Sequence, residues 1–347
     1  MIKFLHSADL HLDSPFAALS PAQAAQRRQE QRELPGMLCD LANREQCDFL
    51  FLSGDVFDAD FVYRETLDAL REALAGCRAR VFISPGNHDP LTPTSPYLTG
   101  SWPENVHIFR HSELEAVALP ELGCCVYGAA FTAPTMLAML QGVRVQEPTL
   151  LNFCVLHGDA MYQDSPYNPI SLEQITDSGF DYLALGHIHK AGRKASAVWP
   201  GCPMGRGFDE TGEKGVILGT AKKGQVETRF HPLPVRQYRI LEVDAGEKIT
   251  LPPDSASHIY RIILTGESEG VDLSRLAEQC YALQIRDETL PPFDIWKRCG
   301  TDTLEGQTLA LLQETLSRCE TQEQKRTVCL AAKRIAQVFD GRELPSL

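Results

Sequence analysis

The sequence predicts an α/β fold: two β-sheets packed as a sandwich with helices outside, then a small α/β unit and a helical C-terminal segment. Three observations predict it. Strands and helices alternate to about residue 186, after which strands and turns alone run to residue 243. An alternation with a strand-rich return packs as two sheets flanked by helices. Residues 258–289 then read as strand, helix, strand, and the pattern beyond them is helical. Finally, five apolar runs each stop at residues of metal-ligand type.

The elements follow from local pattern. Residues 2–7 form a first strand. Ser20-Pro21 offers an N-cap with proline at the first helical position, and the helix should break or kink at Pro35-Gly36. A second piece, about 37–47, puts Met37, Leu38, Leu41 and Ala42 on one face. The run from Asp48 to Ser53 reads as a buried parallel strand. Residues 63–76 carry a Leu67, Leu70, Leu74 stripe, and strand 80–84 follows. The Pro-, Thr- and Ser-rich stretch 90–103 reads as a loop. Strands are expected at 106–109, 115–119, 124–128, 152–156 and 181–186, with helices at 134–140 and 171–177. Strands 197–199, 215–220, 225–231 and 236–243 complete the sheets.

A boundary is placed at Pro232-Leu233-Pro234, giving a first domain over 1–233. The α/β unit covers 234–290, with Tyr260, Ile262 and Leu264 alternating and Leu273, Leu276, Cys280 and Leu283 at helical spacing. After Pro291-Pro292, the segment 291–347 holds two helices. Thr303 or Asp302 caps one over 304–318. Thr321 and Gln324 form a capping box for another, which stops before Gly341.

Composition narrows the class. Of 347 residues, 43% are apolar and 23% charged, as in soluble globular proteins. The N-terminus turns polar too soon for a signal peptide. No apolar run approaches the ~18 residues of a bilayer span, so a membrane is not expected. The 11 cysteines show no Cys-x-x-Cys pair and sit in apolar segments. They read as reduced thiols of a cytoplasmic protein. The net charge of −13 is uneven: residues 186–240 carry 10 basic and 4 acidic side chains. That stretch, with Arg206, Lys222, Lys223 and Arg229, reads either as a lysine-decorated sheet edge or as a track for phosphates.

The strand-terminal residues carry the chemistry. Asp9 and His11 follow the first strand, Asp55 follows Leu52-Ser53-Gly54, and Asn87, His88 and Asp89 follow Gly86. His157 ends a fourth strand, and His187 and His189 follow a fifth. Residues after parallel strands face the crevice where α/β proteins place their sites. The Asp, Asn and His donors, without Cys, suit divalent Mn, Fe or Zn. The ligand set Asp9, His11, Asp55, Asn87, His157, His187 and His189 is too large for one tetrahedral ion and sufficient for two sharing the Asp55 carboxylate. Paired ions of this kind activate water and clamp phosphoryl oxygens. His88 sits between a ligand and the orienting carboxylate of Asp89, which places it over the substrate as a charge stabiliser or acid. His6, His107, His111, His231 and His258 read as structural.

Five ordered motifs, Asp9-Leu10-His11, Gly54-Asp55, Gly86-Asn87-His88-Asp89, His157-Gly158 and Gly186-His187-Ile188-His189, resemble the calcineurin-like metallophosphoesterase superfamily. His6 to Pro15 and Pro200 to Gly215 resemble the bacterial YhaO group of DNA repair exonucleases, relatives of the SbcD nuclease subunit. The resemblance covers the first 230 residues well. It implies a metallophosphoesterase core with a small α/β capping unit. Asp9, His11, Asp55 and His189 would hold one ion, most readily Mn²⁺, and Asp55, Asn87, His157 and His187 the other. His88 matches the catalytic histidine. Archaeal and eukaryotic double-strand-break nucleases carry a second histidine three residues after the shared Asp; here that position is Asp58, and bacterial relatives also tend to lack the histidine. The implied activity is DNA phosphodiester hydrolysis, with phosphodiesterase or phosphatase action on nucleotides or phosphoproteins as the alternative. The implied partners are DNA and an SMC-like coiled-coil ATPase that docks on the C-terminal helices. Self-association is left open.

Overall fold

In the computed structural model, parallel strands buried on both faces explain the unbroken apolar runs. The structure describes residues 1–59, 62–268, 270, 273–290 and 293–341. The chain divides into two compact units, Met1–Gln237 and Tyr238–Leu347.

The first unit opens with β1 (Ile2–Ser7), α1 (Pro21–Glu45), β2 (Phe49–Leu52), α2 (Arg64–Ala75), β3 (Arg80–Ile83), the short α3 (Pro96–Thr99) and β4 (Val106–Ile108). It continues with β5 (Glu115–Leu119), β6 (Cys124–Gly128), β7 (Leu151–His157), α4 (Leu172–Ser178), β8 (Tyr182–Gly186), β9 (Lys190–Lys194), β10 (Ala197–Gly201), β11 (Gly215–Lys222) and β12 (Gln225–Pro232). Two six-stranded sheets result, in orders β12-β11-β1-β2-β3-β4 and β5-β6-β7-β8-β10-β9. Strands β1 to β4 are mutually parallel, as are β6, β7, β8 and β10.

The period of two sorts the side chains. Phe4, Phe49, Phe51 and Phe82 point to the second sheet and meet Phe153, Val155 and Tyr182 there. Rings of Phe51 and Phe153 lie 5.4 Å apart, and those of Phe4 and Tyr182 4.6 Å apart. Their alternates Leu5, Leu50, Leu52, Val81 and Ile83 pack under α1 and α2. Cys154, Leu156, Leu183 and Leu185 pack on the far side of the second sheet with Ile170, Ile175 of α4 and Phe180. The central strands are dry on both faces, whereas the outer strands β5 and β12 keep exposed residues in alternation. All of β1, β2, β3, β7 and β8 end at the same edge of the sandwich.

Three local expectations are corrected. Helix α1 runs unbroken through Pro35. The proline costs one backbone bond, but Leu34, Leu38, Leu41 and Ala42 are fully buried and hold the helix together across it. Residues 134–140 are not helical: Met136 gives its N–H to Pro166 and accepts from Asn168, whose side chain takes the Met139 N–H at 2.8 Å. Those bonds replace a helical ladder. Residues 90–103 contain α3, capped by Ser95. The edge strand β9 was not foreseen, because Lys190-Ala191-Gly192-Arg193-Lys194 has no apolar alternation; charged edges of this kind discourage further pairing.

The second unit has β13 (Tyr238–Asp244), β14 (Ile259–Thr265), α5 (Ser274–Ala277), β15 (Ala282–Asp287), α6 (Leu304–Ser317) and α7 (Gln322–Phe339). Its three strands are parallel in the order β13-β14-β15. Tyr260, Ile262 and Leu264 pack with Leu273, Leu276 and Cys280. The predicted caps stand: Thr303 accepts from Gly306, and Thr321 and Gln324 form the capping box. Lys333 on α7 is buried and reaches both carboxylate oxygens of Asp287 at 3.0 Å. Pro291-Pro292, the expected boundary before these helices, lies outside the described residues.

Candidate metal centre

The residues after five strands meet at one edge of the sandwich, on backbone that ordinary side chains avoid. Asp9, His11, Asp55 and His187 have φ of 54°, 45°, 49° and 94°. Four left-handed residues in one cluster mark conformations held by their surroundings for a purpose. The surroundings are visible. Asp9 and His11 donate their N–H groups to the carbonyls of Gly54 and Asp55 at 3.0 and 2.9 Å. Asp89 is fully buried and accepts the N–H groups of Asp55, Val56, Phe57 and Gly86 at 2.7–3.2 Å, plus the Tyr97 hydroxyl at 2.6 Å. A Cβ on Gly86 would collide with the Asp55 carboxylate, and one on Gly54 with the His157 ring. Only glycine lets these loops close.

Two groups of donors form. In the first, His11 and His189 aim their Nε2 atoms at each other across 3.1 Å. His11 Nδ1 pairs with Asp58 at 2.8 Å, and His189 Nδ1 with Glu210 at 2.6 Å. Each carboxylate accepts a hydrogen bond from Nδ1–H, so in the neutral rings the two Nε2 atoms face each other with lone pairs. A proton or a cation between them makes that contact favourable. Asp9 lies 3.9 Å from His189 Nε2 and completes the group.

In the second group, His157 donates from Nδ1 to the Ser53 carbonyl at 3.0 Å. Its Nε2 lies 2.8 Å from Asn87 Oδ1, and His187 Nδ1 lies 3.2 Å from the same oxygen. Asp55 joins the groups: its Oδ2 is 3.7 Å from His11 Nε2 and 3.3 Å from His157 Nε2. Asp9 also touches both, since its carboxylate lies close to Asp55 and His157 and accepts the His187 N–H at 3.0 Å.

Charge follows the geometry. Burial raises the Asp55 pKa, but His157, then His11 and His88, outweigh it and hold the carboxyl far below the usual range. Burial alone would lower the His157 pKa; the charge of Asp55, its hydrogen bond and Asp9 lift it to about 9. His187 falls to about 4 through burial and the neighbouring charge of His157. Burial raises the Glu210 pKa, but hydrogen bonds from His189 and Arg206 prevail and leave it strongly acidic.

Residues 2–191 match the family model of calcineurin-like phosphoesterases. The chain belongs to that family. A relative from Bacillus subtilis (strain 168), an uncharacterized metallophosphoesterase YhaO, is 33% identical over 251 residues, 66% of this chain and 60% of that protein. The match thus spans less than two thirds of the relative's length. Among solved structures, a novel archaeal phosphodiesterase is similar at 14% identity and TM-score 0.34, covering 66% of this chain and 100% of its own. A dimetal phosphatase from Danio rerio is similar at 12% identity and TM-score 0.44, covering 67% and 96%.

The donor set of this phosphoesterase fits divalent ions. Asp9, His11 and His189 form one candidate position, and Asp9, Asp55 and His157 another, with Asn87 and His187 beside the second. His88 stays out of both groups. Its side chain is 46% exposed, and its ring stands edge-on to His11 at 4.9 Å. Asp58 orients His11, and Asp89 braces the Asp55 loop rather than reaching a donor.

The basic side chains separate. Arg206 turns its guanidinium to Asp58 and Glu210. Lys222 pairs in register with Gln225, one residue beyond the Ile2–Ala221 pair. That hairpin tip lies at the start of β1, and the donors lie beyond its end. Lys223 binds Asp181 at 2.9 Å and Arg229 binds Glu45 at 3.4 Å. None of these three joins the centre.

Sequence reading missed Glu210 and Tyr97. Glu210 lies in a glycine-rich loop nine residues beyond the end of β10, too far along it for a strand-terminal pattern to point at it. Tyr97 is buried on α3 and looked like a loop residue. His6 is structural as expected: buried, it contacts Tyr182 and Ser53 at 2.9 and 3.1 Å, and burial pushes its pKa to about 3.

Proposed function

We propose that this chain is a two-ion phosphodiesterase acting on DNA, a nuclease subunit of the SbcD type. One observation carries the reading. Asp55 stands between two groups of imidazoles: its Oδ2 lies 3.7 Å from His11 Nε2, which faces His189 Nε2, and 3.3 Å from His157 Nε2. In the reading, Asp9, His11, Asp55 and His189 hold one ion and Asp55, Asn87, His157 and His187 the other. Mn²⁺ suits the mixed oxygen and nitrogen donors. Bound ions make water acidic enough to attack phosphorus and neutralise the phosphoryl oxygens.

The chain's own residues do the rest. Asp58 and Glu210 hold the histidine tautomers. Asp89 fixes the Asp55 loop. His88, exposed and beside His11, is placed to give a proton to the leaving oxygen or to stabilise its charge. The runs His6–Pro15 and Pro200–Gly215 support the nuclease reading by their resemblance to the YhaO and SbcD proteins. Free thiols throughout agree with a cytoplasmic setting.

An SMC-like ATPase is the proposed partner. Leu304 and Leu311 on α6 are 72% and 65% exposed and offer an apolar surface to a partner helix. Purified protein with Mn²⁺, assayed on linear DNA, circular DNA and nucleotide esters, tests the activity. Hydrolysis of linear DNA from its ends is expected; turnover of nucleotide esters alone would move the reading to a small-molecule phosphodiesterase. Co-purification of Leu304→Asp and Leu311→Asp with the ATPase tests the docking, and undiminished recovery would sink it.

A further inference from the structure

The histidines behind one metal position are not oriented independently. Asp58 holds His11 Nδ1 at 2.8 Å and Glu210 holds His189 Nδ1 at 2.6 Å. These carboxylates come from separate loops, 152 positions apart in the chain. Two anions beside Asp9 and Asp55 would repel each other and spread.

Arg206 stands between them. Its Nη1 donates to Asp58 Oδ1 at 2.9 Å. Its Nη2 and Nε donate to Glu210 Oε1 at 3.0 and 3.3 Å, and its backbone N–H donates to Glu210 Oε2 at 2.7 Å. All three guanidinium nitrogens thus face a carboxylate. Burial opposes its charge, yet Glu210 and Asp58 raise the Arg206 pKa further. Gly205 next to it is tied to α1, since the buried Arg27 donates to its carbonyl at 2.9 Å. The loop is therefore anchored from behind.

We infer that Arg206 is a positioning residue whose guanidinium braces Asp58 against Glu210, and so fixes the two histidines of one metal position while leaving the other untouched. The planar fork matters as well as the charge. A guanidinium can bridge two carboxylates in a fixed plane, whereas an ammonium is a point charge. The second position depends on Ser53 and the Asn87 loop, which Arg206 does not touch. The inference rests on the two-ion reading above.

The test is Mn²⁺ binding to the full chain, followed by calorimetry and by electron paramagnetic resonance. Wild-type protein should bind two ions and give the spectrum of a coupled pair. Uptake of a single ion by wild type would overturn the two-ion reading itself, before any variant is compared. In Arg206→Met, one site should weaken about 10–100-fold, the usual cost of losing support behind a ligand, while the other holds. The coupled spectrum should give way to that of an isolated ion at limiting Mn²⁺. Arg206→Lys should lose nearly as much, and it serves alone if the Met variant does not fold. At saturating Mn²⁺ both variants should regain turnover of bis(p-nitrophenyl) phosphate with an unchanged KM. Wild-type Mn²⁺ affinity in the Met variant would overturn the brace. Full rescue by Lys would reduce it to charge alone. A raised KM with unchanged metal binding would make Arg206 a phosphate contact instead.

Discussion

His11 and His189 point their Nε2 atoms at each other across 3.1 Å, although 178 positions separate them in the chain. One sits after β1 in the first sheet and the other after β8 in the second. The centre therefore spans the two sheets, and Asp55, like Asp9, touches donors on both sides. Asp55→Asn removes the shared negative charge and should reduce occupancy of both metal positions. His189→Ala should empty mainly one. Metal analysis of the two purified variants separates these outcomes; near-full loading of Asp55→Asn would contradict the shared role.

Metal uptake should depend on pH through His157. Without an ion, Asp55 and Asp9 overcome burial and keep its pKa at about 9, so at neutral pH this ring carries a proton. An ion needs the Nε2 lone pair and must eject that proton. His187, lowered to about 4, is already neutral and releases none. Affinity at that position should rise about tenfold per pH unit up to about 9 and then level, with about one proton released per ion. Calorimetry in buffers of different ionisation enthalpy counts the protons. A count of zero at pH 7 would show that His157 is neutral in the free protein.

Much of this centre was legible in the sequence, because strand-terminal donors follow from a rule that acts locally. Asp9, Asp55, Asn87, His157 and His187 each follow an apolar run, and parallel topology brings such ends together. Glu210 was not legible, since its loop meets His189 only through tertiary packing. The basic stretch is spread out for the opposite reason. Lys222 and Arg206 are close in sequence, but β11 carries one of them to the far end of the sheet. Pro35 shows the limit of propensity: buried leucines on either side hold α1 through a residue that would break an isolated helix.

His88 should act on turnover and not on metal binding. Its ring lies against His11 and turns Nδ1 to Asp58 at 3.8 Å rather than to Asp9, Asp55 or Asn87, and its main chain N–H, not its ring, holds Asp55 at 2.9 Å. His88→Ala keeps that backbone bond. Its metal content should be unchanged, with turnover lower by about 10²–10⁴-fold, as for loss of a positioned acid or base. Loss of an ion along with activity would place the ring among the ligands.

The last prediction concerns Asp89, which never meets the donors. Five hydrogen-bond donors converge on its two oxygens, four of them backbone N–H groups of the Asp55 and Gly86 loops. The carboxylate is fully buried, and both burial and the Asp55 charge oppose its ionisation by raising its pKa. It is held there by the hydrogen bonds of those N–H groups and of the Tyr97 hydroxyl. Asp89→Ala would leave them unsatisfied, at about 1–3 kcal/mol for each buried group stranded. Asp89→Asn is the sharper variant. It preserves volume but replaces one acceptor oxygen by an NH₂ that must point at N–H or O–H donors. It should therefore lower the urea midpoint of the first unit, and the released Asp55 loop should weaken both metal positions together. Full metal loading in an Asp89→Asn protein of wild-type stability would mean that the left-handed backbone at Asp55 is held by the Asp9 and His11 loop alone.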